Sequence, residues 1–114
     1  ISGGIDFAMT QLKRAPYKAD RRVIDVSGDG THNSGRDLSV ARAEALEQDV
    51  VINGIAILSA VPLPTNPAHT HPPGGLLAYY QENVIGGPGS FAVPAEGFAD
   101  FGRSIVAKLI REIA

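Results

Sequence analysis

The chain has 114 residues, enough for one domain at most. It is 44% apolar and 19% charged, with a formal net charge of −2. Neither this net charge nor any cluster of Lys and Arg residues predicts a nucleic-acid partner. It has no cysteine, which excludes disulfides, thiol catalysis and thiolate metal sites. It also has no apolar run of the roughly 18 residues that a membrane span needs.

The first predicted element is a helix from about Gly3 to Arg14 that stops before Pro16. Its apolar positions follow helical spacing at Ile5, Ala8, Met9 and Leu12. Because the chain opens with Ile1 inside this pattern, we interpret the 114 residues as the C-terminal part of one domain. Any signal peptide would then lie in the part that precedes it.

Two strands and a helix follow this first element. The β-branched run in Arg22–Ser27 predicts the first strand, and a glycine-rich polar turn comes after it. Asp37–Gln48 has the alanine-rich inner face of a helix. Val50–Leu58 is almost continuously apolar, which is typical of a strand buried on both faces of a parallel sheet.

The second half of the chain begins with Ala60–Gly75, whose five prolines predict an irregular surface loop. A short helix is predicted at Leu76–Val84 and a third strand at Ser90–Pro94. A last helix is predicted from about Phe98. Its apolar stripe should be Phe98, Phe101, Ile105, Leu109 and Ile113, with Arg103, Lys108 and Arg111 on the other side.

The alternation of helices and strands predicts a three-layer, Rossmann-like parallel α/β sheet with right-handed connections. We expect three strands and about four helices. The strands should pair in chain order, with Val50–Leu58 in the centre. The first strand is then left with one open edge, and we expect self-association through Arg22–Ser27 or marginal stability.

Asp29 is the main candidate for a functional residue. Ligands of open parallel sheets bind beyond the carboxyl ends of the strands, and Asp29 lies there between Gly28 and Gly30. A carboxylate in such a turn suits a hard divalent cation. It also suits a simple cap of the turn or of the next helix.

Three sharper motifs do not fit this turn. A calcium loop that starts at Asp25 would need a glutamate where Arg36 stands. A subtilisin-like segment would need a histidine base where Asp29 stands, and a Rossmann fingerprint would need a glycine or alanine at Asn33. No nucleophile–base pair or complete phosphate loop can be assembled from the sequence, so we do not expect an enzyme.

Two further features carry weaker signals. His69 and His71 form an H-x-H pair in the proline-rich loop, a spacing that also serves metals, but no third ligand stands near them. Asp25 interrupts an apolar strand, and a buried carboxylate needs a partner. Arg21, Arg22 or a residue outside this chain would supply it.

Several segments together resemble a bacterial von Willebrand factor A-like family of unknown function. The resemblance covers nearly the whole chain except the proline-rich loop. It rests on 22–30 with 33–36, on 52–57, on Tyr79-Tyr80 with 83–89, and on 98–114. It implies a non-enzymatic module that binds an unknown protein or acidic ligand, in an extracytoplasmic setting.

The resemblance also implies a metal-ion-dependent adhesion site built from three loops and holding Mg²⁺ or Mn²⁺. Asp29-Gly30 matches the third loop, and Ile1–Ile5 resembles the start of the helix that follows the second. The D-x-S-x-S loop and the metal-binding threonine would lie before Ile1. We therefore expect Asp29 to be a metal ligand of the complete domain and expect no tight cation site within these 114 residues. The alternatives are an α/β hydrolase or nucleotide-using enzyme, and a structural interaction domain without metal.

Overall fold

The computed structural model describes residues 1–14, 22–32, 35–58, 67–96 and 101–113. Five helices and three strands lie within these ranges. In chain order they are α1 (Ser2–Arg14), β1 (Arg22–Gly28), α2 (Leu38–Glu47), β2 (Val50–Leu58), α3 (Pro67–Thr70), α4 (Leu76–Asn83), β3 (Ala92–Glu96) and α5 (Phe101–Ile113).

The three strands form one parallel sheet in the order β1-β2-β3, so the longest strand is central, as the sequence predicts. Val26 pairs with Gly54 across β1 and β2, and Gly54 in turn pairs with Ala92 of β3. In the described part of the chain β1 pairs with β2 alone, which leaves its other edge open.

The helices cover both faces of this sheet, which confirms the predicted α/β architecture. On one face, α1, α2 and α4 bury the main core against side chains such as Ile24 and Ile52. On the other face, α5 packs Ile105 against a smaller cluster of Ile55, Ile57 and Ala95. Nearly all of β2 is buried because helices lie on both of its faces.

Some boundaries differ from those predicted. The third strand begins and ends two residues later than the predicted Ser90–Pro94. Phe91, just before it, donates its N–H to the side-chain oxygen of buried Asn53 (2.9 Å). The regular pairing with β2 therefore begins only after Phe91. The proline-rich segment contains the one-turn helix α3 instead of being irregular throughout. Pro16, Arg21, Asn33, Phe98 and residues 59–66 lie outside the described residues.

The predicted inner face of α5 is right at Ile105 and wrong at two positions. Lys108, predicted on the polar side, is 3% exposed, whereas Leu109 of the predicted apolar stripe is 43% exposed. The ammonium group of Lys108 forms an ion pair with Asp25 of β1 (2.7 Å). The aliphatic stem of a lysine covers apolar surface, so its charge did not determine which way the residue faces.

Candidate functional site

Asp29 lies where the sequence predicts it, directly after the last residue of β1 and exposed to solvent. It lines a crevice of about 420 Å³ that runs beside β1. The apolar wall of this crevice comes from α1, and its polar groups come from the carboxyl end of β1, α3 and α4. Its lining includes Ile1, Ile5, Ala8, Thr31, His69 and Tyr80.

The two glycines that flank Asp29 are required by close approaches from other helices. A Cβ atom at Gly28 would collide with the hydroxyl of Tyr80, and one at Gly30 would collide with the imidazole of His69. Neither glycine has a positive φ, so space and not backbone conformation makes a larger residue unfavourable here. The glycines therefore let α3 and α4 contact the backbone on both sides of the Asp29 carboxylate.

Tyr80 is the most enclosed polar side chain at this crevice. Its ring lies against Gly54 of β2, and the residue is fully buried. The hydroxyl has no hydrogen-bond partner among the described residues. Burial, followed by the nearby charge of Asp29 and then by Tyr79, raises the pKa of Tyr80 to about 12. Leaving such a donor unsatisfied costs about 1–3 kcal/mol.

The segment that follows Asp29 is held by neighbouring helices. The N–H of Thr31 donates to the carbonyl of His69 (2.8 Å), and the hydroxyl of Thr31 lies 3.2 Å from Nδ1 of the same residue. The N–H of His32 donates to the hydroxyl of Tyr79 (3.1 Å). These contacts fix the turn in which Asp29 stands, although Asp29 itself remains exposed.

The donors that line this crevice are mostly oxygens, together with the imidazole of His69. The carboxylate of Asp29 and the hydroxyl of Thr31 line the same space, and oxygen ligands suit Mg²⁺ or Mn²⁺. In the residues that the structure describes, no group of three His, Cys, Asp or Glu side chains comes together. The donor set therefore fits a hard cation only in part, with most coordination positions left to water or ligand.

His69 and His71 do not form the metal pair that their spacing allows. His69 faces the Asp29 crevice, whereas His71 lines a separate cavity beside Leu58 and hydrogen-bonds with Thr70 (3.0 Å). The contact of His69 with Gly30 was not predicted from the sequence. A sequence signal of the close approach by Tyr80 is Gly54, a glycine inside a strand otherwise rich in β-branched residues.

Asp25 also lines the crevice, but its role is different from that of Asp29. Its side chain is 39% exposed and pairs with the buried ammonium of Lys108. The sequence predicts Arg21, Arg22 or a residue outside this chain as this partner. Arg22 instead donates to the carbonyl of Gln48, and Arg21 lies outside the described residues.

Thr31 and His69 bring a hydroxyl and an imidazole together, a contact that no sequence pattern predicts. In a catalytic triad, a carboxylate bonded to the imidazole orients the base. No carboxylate of the described residues hydrogen-bonds to the His69 ring, and its Nε2 lies against Gly30. The pair thus has two of the three groups that such a mechanism uses.

Comparison with known proteins identifies the family of this chain. No curated protein and no solved structure matches the chain. None of the helices in the described ranges has both the length and the apolar character for crossing a membrane. A family model described as "Protein of unknown function (DUF1194)" matches residues 1–114, and the chain belongs to this family.

Proposed function

We propose that this chain is part of a von Willebrand factor A-like binding module without enzymatic activity. Its ligand-binding surface is the crevice at the carboxyl end of β1. The observation that carries the proposal is the exposed Asp29 carboxylate, which stands between two space-restricted glycines in the place where open parallel sheets bind ligands.

Asp29 is proposed to contribute one oxygen ligand to a divalent cation, Mg²⁺ or Mn²⁺. The hydroxyl of Thr31 is proposed as a further oxygen donor, because Thr31 lines the same crevice. Magnesium prefers octahedral geometry and keeps several waters, so two protein oxygens leave positions for an oxygen of the partner. The partner is proposed to be a protein or another ligand that presents a carboxylate, met in an extracytoplasmic compartment.

Terbium luminescence tests this proposal. Tb³⁺ prefers oxygen ligands as the hard divalent cations do, and it emits when a nearby tyrosine absorbs the exciting light. Tyr80 lines the crevice with Asp29, so Tb³⁺ bound there should be sensitised. Competition with Mg²⁺ or Mn²⁺ should remove the emission.

The variant that decides the test is Asp29→Asn, with Asp49→Asn as its matched control. Asp49 is exposed and lies at the end of α2 with a φ of 60°, a conformation that asparagine accepts readily. The sensitised emission should vanish in Asp29→Asn and persist in Asp49→Asn. Equal emission from both variants would exclude Asp29 as the ligand. No sensitised emission from the unmodified chain would favour a structural interaction domain without metal.

A hydrolase is the second candidate, favoured by the contact between Thr31 and His69. Hydrolysis of p-nitrophenyl acetate measures it directly. A hydrolase would lose its turnover in Thr31→Val but not in Thr10→Val, which changes an exposed hydroxyl on α1. The binding-module proposal expects no difference between these two variants and the unmodified chain.

A further inference from the structure

A cavity of about 410 Å³ lies apart from the Asp29 crevice, between α2 and α4. Among the described residues, the two cavities share none. The lining of this cavity includes one basic side chain, Arg42, and one acidic side chain, Asp37. These opposite charges, with the polar groups around them, offer different partners to the two ends of a small molecule.

The groups around Arg42 are hydrogen-bond donors. Nε of Arg42 donates to the carbonyl of Ile85 (2.8 Å), and its two terminal nitrogens have no hydrogen-bond partner among the described residues. The hydroxyl of Tyr79 accepts the N–H of His32 (3.1 Å), so its own hydrogen remains to be donated. Nδ1 of His32 accepts the N–H of Ser2 (3.4 Å), so the neutral ring carries its hydrogen on Nε2. A guanidinium with neighbouring neutral donors suits a carboxylate.

The groups around Asp37 are acceptors. Oδ1 of Asp37 accepts the hydroxyl (2.8 Å) and the N–H (2.9 Å) of Ser39. These two hydrogen bonds, first that of the hydroxyl, hold the pKa of Asp37 below its usual value, so the group is a carboxylate at neutral pH. The side-chain amide of Asn83 donates to the carbonyl of Tyr79 (3.1 Å), which leaves its oxygen as an acceptor. Acceptors beside a carboxylate suit an ammonium group.

We propose that this cavity binds a small zwitterion that carries a carboxylate and an ammonium group, as amino acids do. Arg42 binds the carboxylate, and Asp37 binds the ammonium group. A simple anion would meet the negative charge of Asp37 and a simple cation would meet the positive charge of Arg42, whereas a zwitterion complements both. The inference is independent of the proposed cation at Asp29.

The test titrates the chain with glycine, γ-aminobutyrate and ε-aminocaproate, which hold the same two charges at increasing separations. Amide chemical shifts are followed by NMR. At least one of the three should shift the signals of His32, Ser39 and Arg42 saturably. The carboxylate and the amine of matching length, such as butyrate and butylamine for γ-aminobutyrate, each lack one charge. Both should bind at least about tenfold more weakly than the zwitterion, since each loses a charge-assisted hydrogen bond.

Asp37→Asn removes the charge without removing the helix cap, because asparagine caps a helix as well as aspartate does. It should weaken binding of the best zwitterion about tenfold, and it should bind the matching carboxylate no more weakly than the unmodified chain does. Asp49→Asn, at an exposed position outside the cavity, is the matched control and should change neither affinity. If none of the three zwitterions binds, or if Asp37→Asn binds them as tightly as the unmodified chain, the proposal is wrong.

Discussion

The hydroxyl of Tyr80 occupies the space that a Cβ atom at position 28 would need. Tyr80 belongs to α4 and Gly28 ends β1, so this contact fixes the distance between the helix and the strand that leads to Asp29. The site therefore depends on a pair of residues that lie far apart in the chain and that only the folded structure brings together.

Gly28→Ala should lower the free energy of unfolding by about 2 kcal/mol, because its methyl group overpacks the space under the hydroxyl. The same substitution should be nearly neutral in the Tyr80→Phe background, where the hydroxyl is gone. Urea denaturation of the four proteins of this double-mutant cycle measures the coupling. Gly102→Ala is the control, since nothing lies within 4 Å of a Cβ atom there. Additive effects in the cycle would contradict the contact.

The ion pair between Lys108 and Asp25 should stabilise the packing of α5 on the sheet. Asp25→Ala removes a charge partner of an ammonium whose side chain is 4% exposed. We expect a loss of roughly 2 kcal/mol, less than for a fully buried pair because Asp25 is 39% exposed. Lys108→Met, which keeps an apolar stem, should cost less. Thermal melts that rank the two variants in the opposite order would count against this pairing.

Arg36 should make stability depend on pH in the acid range. It links α1 to α2 through Asp6 (2.6 Å) and Glu44 (2.5 Å), and its hydrogen bonds lower the pKa of both carboxyl groups. A carboxyl group whose pKa is lowered by folding stabilises the folded state fully above its ordinary pKa, which is 3.8 for Asp6 and 4.5 for Glu44. This stabilisation is lost as the pH falls through the lower pKa of the folded state.

The measurement for Arg36 is the urea midpoint of Arg36→Gln against pH. The variant should be less stable than the unmodified chain near pH 7, by a small amount because these groups are exposed, and the difference should close below about pH 4. Arg14→Gln, which changes another exposed arginine of the same region, should show no such dependence. A difference that grows as the pH falls would have the wrong sign.

The open edge of β1 should promote self-association. A strand edge with unpaired backbone groups is a template for another strand, and a charged side chain on it opposes pairing. Ser27→Lys places a charge at an exposed position of β1, and Ser39→Lys does the same on α2. Size-exclusion chromatography should show concentration-dependent association that Ser27→Lys reduces and Ser39→Lys does not. A monomer at all concentrations would mean that this edge is protected.

Much of the fold follows from local patterns in the sequence. The nearly continuous apolar run of Val50–Leu58 predicts a central strand, and the glycine-flanked Asp29 is predicted at the carboxyl end of the first strand; the structure has both. The environment of Asp29 does not follow from such patterns. Tyr80 and His69 reach Gly28 and Gly30 only through tertiary packing, and the burial of Lys108 depends on the position of Asp25 on a neighbouring element.

The central claim is that Asp29 holds a divalent cation at the carboxyl end of β1, and paramagnetic broadening by Mn²⁺ tests it most directly. The site should be weak, with no saturable heat in calorimetry at micromolar Mg²⁺ or Mn²⁺ because few protein oxygens face it. Sub-stoichiometric Mn²⁺ should still broaden the amide signals of Gly28, Gly30, Thr31 and His69 before others. Asp29→Asn should abolish this pattern, and Asp49→Asn should preserve it. Broadening that is absent from these residues, or that is unchanged in Asp29→Asn, would contradict the claim.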